Sequence, residues 1–428
     1  LILAFMIPTY LGNIFQQFYN LVDSVVAGRY IGVNALAAIG STTSLIFLVT
    51  GWLQGITSGF SIMVAQSFGA KDYHQMRRYV AMSVYLCVAF VVVMTAGLMI
   101  FNVPILRLMN TPDEIIGQTA AYMGIIYAGL CVTAAYNAFA AVLRALGDGR
   151  SPLYFLIISA VLNVFGDLFF VIVLKDGSRG CAISTVLSEA LCSLFCVIYI
   201  QKKVPLLRLG KKWLVFDRSL LMRTIAYGWT SALQQATVQL GKLGIQAIVN
   251  TMGVSVAAAF AIVNRIDDFA YTPEQNIAHA MTALMAQNKG AGKNDRMREG
   301  FRCGMILELV YGAAVMLICL GFARPLMSLF VKDEEVIGHG VVYLHLIAVM
   351  YILPAITNSL QGFFRGIGDL KVTLMSSFTN MTVRVIAAAP MVLLWNFGIE
   401  ALPYSYLAGW IAMLLVETPL MLRIYRKK

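Results

Sequence analysis

Four polar residues lie inside long hydrophobic runs and could do chemistry there: Asp23, Asn163, Asp167 and Thr185. Asn163 and Asp167 are four residues apart, which puts both on one face of a helix. Asp23 precedes Arg29 by six residues and Asp167 precedes Lys175 by eight, so at a helical rise they lie about 9 Å and about 12 Å in from those charges. Thr185 follows Arg179 by six residues, again about 9 Å in. Two carboxylates, an amide and a hydroxyl thus share one depth. Carboxylates forced together at low dielectric repel, so one of them can hold a proton. The amide and hydroxyl can donate hydrogen bonds or coordinate a hard cation such as Na⁺. An exchangeable proton or Na⁺ is what such a group could hold. The plainer alternative is that Asp23 reaches for the interface beside Arg29 while Asp167 makes an interhelical hydrogen bond.

The elements that must position these groups are membrane helices. Of the residues, 59% are hydrophobic and only 12% charged, against about 25% charged in soluble domains. Runs such as 80–101, 153–174 and 303–322 each supply the roughly 20 apolar residues that cross a bilayer. The pattern predicts an all-α polytopic membrane protein with twelve spans, six per half. The first six are 3–28, 34–67, 79–101, 117–143, 152–174 and 180–201. The second six are 224–249, 254–287, 301–322, 337–364, 372–395 and 400–422. The chain opens at Leu1 inside an apolar run with no cleavable signal peptide, which predicts a native start further upstream. The halves are copies: AQSFGAKDYHQMRR at 65–78 recurs as AQNKGAGKNDRMRE at 286–299. The same spacing of 221 residues carries Arg144, Gly147 and Asp148 onto Arg365, Gly368 and Asp369. An even number of spans returns each half to its starting side, which predicts parallel repeats related by a pseudo-two-fold axis along the membrane normal. The expected domains are a six-helix lobe over 1–201, a basic linker over 202–223 and a second six-helix lobe over 224–428. The linker reads as a plain tether.

Loop charge sets the orientation. With the N-terminus inside, twenty-three of the thirty-two Lys and Arg residues fall on inside segments and six outside, so both termini are expected in the cytoplasm. The net charge of +11 is then a topology signal and not a nucleic-acid footprint. The chemistry is not duplicated: the 221 spacing sends Asp23 to Gly244, Asn163 to Arg384, Asp167 to Ala388 and Thr185 to Tyr406. The second half has its own in-span charges, Lys242, Arg265, Asp267, Asp268, Glu274 and Arg384. These could neutralise one another as structural pairs. Alternatively, Asp267, Asp268 and Glu274, with Gln234, could line a cavity for a cationic substrate. Glu308 and Glu417 have no evident partner. Pro8 removes a backbone donor from the first span and is a candidate hinge fifteen residues before Asp23. An intramembrane enzyme would need a nucleophile with a base or a metal site at matched depth. No HExxH, GxSxG or metal-spaced histidine set occurs. A channel would have no need of a coupling carboxylate pair.

FYNLVDSVVAGRYIG in span 1, AQSFGAKD after span 2, LRALGDGRSP after span 4 and FFRGIGDLK after span 10 resemble the multidrug and toxic compound extrusion (MATE) family across essentially the whole chain. Within it, the chain is similar to the DinF-like branch. That resemblance assigns an ion-coupling role to Asp23, Asn163, Asp167 and Thr185, joined by Asn137 of span 4, and matches Pro8 to the span 1 proline. The prominent second-lobe acids of the NorM-like branch are replaced here by Gln234, Gln235 and Gln239 in span 7 and by Asn358 and Gln361 in span 10. The resemblance implies a monomeric exporter, multi-pass in a bacterial plasma (inner) membrane, with no cofactor beyond a coupling H⁺ or Na⁺. It would expel amphipathic, often cationic small molecules as the two lobes rock between outward-open and inward-open states. The alternative within the wider superfamily is a flippase or exporter of a lipid-linked or polar metabolite.

Overall fold

In a computed structural model of the chain, the backbone is described for residues 2–26, 30–31, 33–109, 111–208, 213 and 216–426. Side chains are described for these except 3–6, 17–21, 23–25, 33–41, 43–44 and 425–426. The described residues form fourteen α-helices. The first repeat has α1 (Ile2–Val26), α2 (Val33–Gly69), α3 (Tyr73–Ile100), the short α4 (Asn102–Leu108), α5 (Asp113–Ala145), α6 (Arg150–Leu168) and α7 (Gly177–Lys203). The second has α8 (Arg218–Val249), α9 (Val254–Gly290), α10 (Asn294–Ser328), α11 (Glu334–Ala348), α12 (Ile352–Gly366), α13 (Leu370–Leu393) and α14 (Ala401–Arg426). With α4 a short appendage and α11 joined to α12, each repeat has six spans, giving an all-α polytopic membrane fold with twelve.

The helix boundaries repeat as the sequence does. Both ends of α2 map onto both ends of α9 at the 221 spacing. The start of α5 maps onto the start of α11, and its end onto the end of α12. The copied Arg-x-x-Gly-Asp segments have a local physical reason. Gly147 has φ +94° and Gly368 φ +79°, the left-handed region where a side chain is strained. In the first repeat Asp148 N–H donates to the Leu143 carbonyl at 3.0 Å and Gly147 N–H to that of Arg144 at 2.9 Å. In the second, Asp369 N–H donates to Phe364 and Gly368 N–H to Arg365, both at 2.9 Å. This is one C-terminal cap built twice, satisfying carbonyls that the helix end leaves open.

Among the described residues, seven helices, α2, α3, α5, α6 with its extension, α7, α10 and α14, are each long and apolar enough to cross a membrane. The pair α11–α12, bent by 54°, makes an eighth. The outward faces are apolar, as lipid requires: Val93 is 70% exposed, Ile100 72% and Leu415 71%. Polar side chains are buried instead, and α8, α9 and α13 carry many of them. After α6 the chain continues through a π-helical turn, Phe169–Val173, two residues beyond Asp167. Such turns widen a helix and recur at functional sites.

The chain divides into two compact units. One is Ile7–Ala232, and the other is Leu233–Lys428 with Leu1–Met6. The division falls within α8, beyond the 202–223 segment that joins the repeats in sequence. The first unit has its core around Leu53, Val91, Met123, Tyr127 and Leu130. The second has its own around Phe260, Tyr343, Tyr351 and Trp410, and Ile2 packs with Ile277 and Met281. Gly51, Gly55 and Gly59 of α2 form a small-xxx-small stripe, the pattern that lets membrane helices approach closely. A Cβ at Gly55 would lie 2.5 Å from Ala232 Cα, and one at Gly59 would lie 2.6 Å from the Tyr227 carbonyl carbon, so α2 and the N-terminal half of α8 meet backbone to backbone.

The 202–223 segment departs from the expected plain tether, because it is pinned to the start of α3. Arg77 donates to the Leu206 carbonyl at 2.8 Å and lies 4.9 Å from the Trp213 ring. His74 meets the same ring edge-on at 5.1 Å. Arg78 pairs with Asp217 at 2.7 Å. Asp217 also accepts from Ser219 N–H at 2.9 Å and Leu220 N–H at 3.1 Å, capping α8. The Leu220 N–H and the Arg78 guanidinium hold its carboxyl below the usual carboxylate range.

Candidate functional site

The first polar group sits where α6 meets α7. Asn163 is 2% exposed and Asp167 fully buried, one turn apart on α6. Asn163 Nδ2 donates to Ser184 Oγ at 3.3 Å and to Thr185 Oγ1 at 3.4 Å. Ser184 Oγ returns a 2.8 Å bond to the Asn163 carbonyl. Thr185 donates to the Cys181 carbonyl at 3.0 Å, so its lone pairs face the amide. The two helices can come this close because Gly166 leaves room: a Cβ there would run into Ser184 Oγ. Asn163 Oδ1 is buried with no hydrogen-bond partner among the described residues. A buried carbonyl oxygen without a donor, beside a carboxyl one turn away, is an acceptor set that a proton or a hard monovalent cation would satisfy.

The structure joins the predicted residues unequally. Asn163 and Thr185 are in contact, and Asp167 shares the Asn163 face. Asn137 of α5 donates to the Thr133 carbonyl at 2.8 Å, and Thr133 Oγ1 donates to Glu189. Asn137 therefore belongs to an adjoining α5–α7 group. Pro8 is buried inside α1. The side chain of Asp23 lies outside the described residues. Ser184 and Thr133 carried no sequence signal, because serine and threonine are unremarkable on membrane helices; Glu189 is visible in the sequence as an in-span carboxylate, but its partner Thr133 is not.

The second repeat has a larger buried polar system. Glu274 is 1% exposed and Glu308 and Glu417 are fully buried. Asn358 Nδ2 donates to Glu274 Oε2 at 3.2 Å. Tyr351 donates its hydroxyl to Asp267. Gln361 is a hub: its Nε2 donates to Ser376 at 2.8 Å and to Glu417, and its Oε1 accepts from Gln234 at 2.8 Å. Gln234 also reaches Ser377 at 3.0 Å, and Ser376 donates to Glu417 at 2.7 Å.

Several expectations change here. The in-span charges Lys242, Arg265, Asp267, Asp268, Glu274 and Arg384 do not form salt bridges with one another among the described residues; Asp267 is held by a phenol and Glu274 by an amide. Arg384 is stacked on aromatic rings, 4.2 Å from the Tyr406 centroid and 4.9 Å from that of Trp410, an arrangement that stabilises a partly desolvated cation. Gln234 is 6% exposed and engaged in the Gln361 hub. Asp268 is exposed. Glu417 does have partners, Ser376 and Gln361. Arg384 and Tyr406 stand at the repeat positions of Asn163 and Thr185, so the second copy has a stacked guanidinium where the first has its amide–hydroxyl pair. Among the described residues, no group of three His, Cys, Asp or Glu side chains could hold a metal ion.

With this geometry in hand, relatives can be compared. A family model described as MatE matches the chain twice, over residues 8–169 and 231–390. The chain is 30% identical over 340 residues to the "Probable multidrug resistance protein YoeA" of Bacillus subtilis, covering 77% of this chain and 73% of that protein. It is 24% identical to the "Probable multidrug resistance protein NorM" of Thermotoga maritima, over 94% of this chain and 86% of that one. A solved structure described as "Crystal structure of MATE in the bent conformation" superposes with a TM-score of 0.93 at 21% identity, covering 99% of this chain and 95% of that one.

Proposed function

Because the chain belongs to the MatE family and is a membrane transporter, not an enzyme, we propose that it is a secondary active multidrug exporter. It expels amphipathic, often cationic small molecules in exchange for H⁺ or Na⁺ by alternating access, as a monomer in a bacterial plasma membrane with both termini cytoplasmic. The observation that carries this reading is the buried Asn163–Asp167–Thr185 group of α6 and α7, with its unsatisfied amide oxygen. The MATE resemblance adds Asp23 to it. An ionisable group at membrane depth marks an ion pathway by default. The names of the relatives support export of drugs as the activity.

In this reading an ion enters the first-repeat group from outside and neutralises Asp167. The site can then release substrate outward and reset with the ion released inward. The ion and the substrate need only differ in their affinity for the two states. The π turn after Asp167 lets α6 change its hydrogen bonding without unwinding. The test is dye efflux from proteoliposomes under an imposed pH gradient and, separately, an imposed Na⁺ gradient. One gradient is expected to drive efflux in the wild type, and Asp167→Asn to abolish it. Wild-type efflux driven by neither gradient, or full gradient-driven efflux in both Asp23→Asn and Asp167→Asn, refutes the assignment.

A further inference from the structure

The second repeat contains a pair of buried carboxyl groups that the first-repeat site leaves unexplained. Glu308 of α10 is fully buried, and neither of its oxygens has a hydrogen-bond partner among the described residues. Glu274 of α9 is 1% exposed; Asn358 serves one of its oxygens and the other, Oε1, has no partner. The two carboxyls lie within electrostatic reach of each other. Gly312, one turn beyond Glu308 on the same face of α10, fixes the geometry: a Cβ there would lie 3.6 Å from Glu274 Oε1 and 3.1 Å from the Tyr351 carbonyl. Glu274 precedes the end of α9 by sixteen residues and Glu308 follows the start of α10 by fourteen. The two helices are joined by a short turn, so both groups lie roughly 21–24 Å in from it. Pro273, inside α9 and next to Glu274, lacks the N–H that would bond the carbonyl four residues back.

The repeat shows that these residues are not a packing requirement. The positions that match Glu274, Glu308 and Gly312 in the first repeat are Leu53, Cys87 and Val91. All three are buried, and Leu53 and Val91 belong to the first unit's apolar core. The same helix–helix seam is thus closed by apolar side chains in one copy, and by two carboxyls with a glycine clearing space in the other. Asn358 matches Asn137, so the amide was already available in both. Burying an unpaired carboxylate costs several kcal/mol, and Leu, Cys and Val would have packed the seam without it.

We propose that Glu274 and Glu308, with the Asn358 amide, form a second monovalent-cation site that binds one H⁺ or one Na⁺ between the two carboxyl groups. On proton uptake one carboxylate becomes the acid and donates to the oxygen of the other; on Na⁺ binding both remain carboxylates and coordinate the ion. The other ionisable groups in reach are Tyr271 and Asp267 on α9; Asp268 of α9, Lys242 of α8 and Arg384 of α13 act on Asp267, and Arg384 acts on Tyr271 as well. From the α11–α12 span, Tyr351 engages Asp267, and α12 contributes Asn358. The proposal goes beyond the first-repeat coupling group and rests on the transporter reading only for its purpose.

The test is acid-minus-base infrared difference spectroscopy of the full chain in lipid nanodiscs, in choline chloride and then in NaCl, reading the carbonyl stretch of protonated carboxyl groups. The wild type is expected to show a titrating acid signal with a component that is lost in Glu308→Gln and in the double variant Glu274→Leu/Glu308→Cys, and kept in Asp167→Asn. The double variant puts back two of the three residues that pack this seam in the first repeat, leaving Gly312, so a folded protein is expected; its melting curve checks this. Suppression of the signal by NaCl identifies Na⁺ as an occupant, and indifference to NaCl identifies H⁺. An unchanged signal in the folded double variant, or no titrating acid signal in Asp167→Asn, overturns the proposal. Loss of gradient-driven efflux is read separately, so failure of the transport reading and failure of this site are distinguishable.

Discussion

Asn163→Ala separates the ion site from the fold. The substitution removes two long side-chain bonds, at 3.3 and 3.4 Å, from Nδ2 to Ser184 and Thr185. It leaves the 2.8 Å bond from Ser184 Oγ intact, because the acceptor is the main-chain carbonyl of residue 163. Thr185 keeps its bond to the Cys181 carbonyl. No buried hydroxyl loses its last partner, and the unsatisfied Oδ1 disappears. The stability cost is therefore at the low end for lost hydrogen bonds, about 0.5–1.5 kcal/mol. The cost to ion binding is larger, since a hydrogen bond or ligand to a charged group contributes about 1.5–3 kcal/mol. At 1.4 kcal/mol per decade this is a roughly ten- to hundred-fold weaker ion affinity. The assay is dye efflux from proteoliposomes as a function of the driving ion's concentration, with a melting curve on the same preparation. The expected result is a near-normal melt with a half-saturating ion concentration raised ten-fold or more. An unchanged ion dependence in a normally folded variant would refute the placement of this amide in the site.

Three further outcomes follow from the geometry. Gly59→Ala should lower the melting temperature, at a cost of about 1–3 kcal/mol for overpacking, because its Cβ would meet the Tyr227 and Gly228 backbone at 2.6 and 2.7 Å. Gly51→Ala, with nothing within 4 Å, should be tolerated, and equal melting curves would sink the close-approach argument. Gln361→Leu leaves Glu417, Ser376 and Gln234 each one bond short, costing about 1–3 kcal/mol per group; combining it with Gln234→Leu should cost less than the two singles added, which a double-mutant cycle checks. The Asp217 carboxyl is depressed by the Leu220 N–H and Arg78, so its stabilisation is present above the unfolded carboxylate pKa, about 3.9. That contribution is lost as pH falls through the lower folded value. The melting-temperature gap between wild type and Asp217→Asn should narrow below about pH 4, and a gap independent of pH would count against the cap.

The elements were legible because membrane helices are written in composition and the duplication in spacing. Long apolar runs can satisfy their backbone only as helices, and the Gly147/Gly368 caps repeat because both copies need the same left-handed turn. Asn163, Asp167 and Thr185 stood out because polar atoms are rare at that depth. Ser184 and Thr133 did not, since a hydroxyl can bond its own helix and leaves no pattern. The pinned linker was hidden too, as its contacts span more than a hundred residues. In the second repeat, counting charges suggested neutral ion pairs. Side-chain geometry replaced these with phenol, amide and aromatic partners, because the opposite charges are carried to different neighbours.

By itself, the sequence determined the membrane class, the two six-span copies and the polar residues that cannot be there for packing. All of these follow from hydropathy, spacing and the cost of burying charge. Only the tertiary structure decided which of those residues meet. It set Asn163 against Thr185 across a seam opened by Gly166, placed Gln234 in a hub, and turned Glu274 toward Gly312, one helical turn from Glu308. Contacts between helices depend on which faces turn inward and where a missing Cβ lets them close, and no spacing along one chain records that.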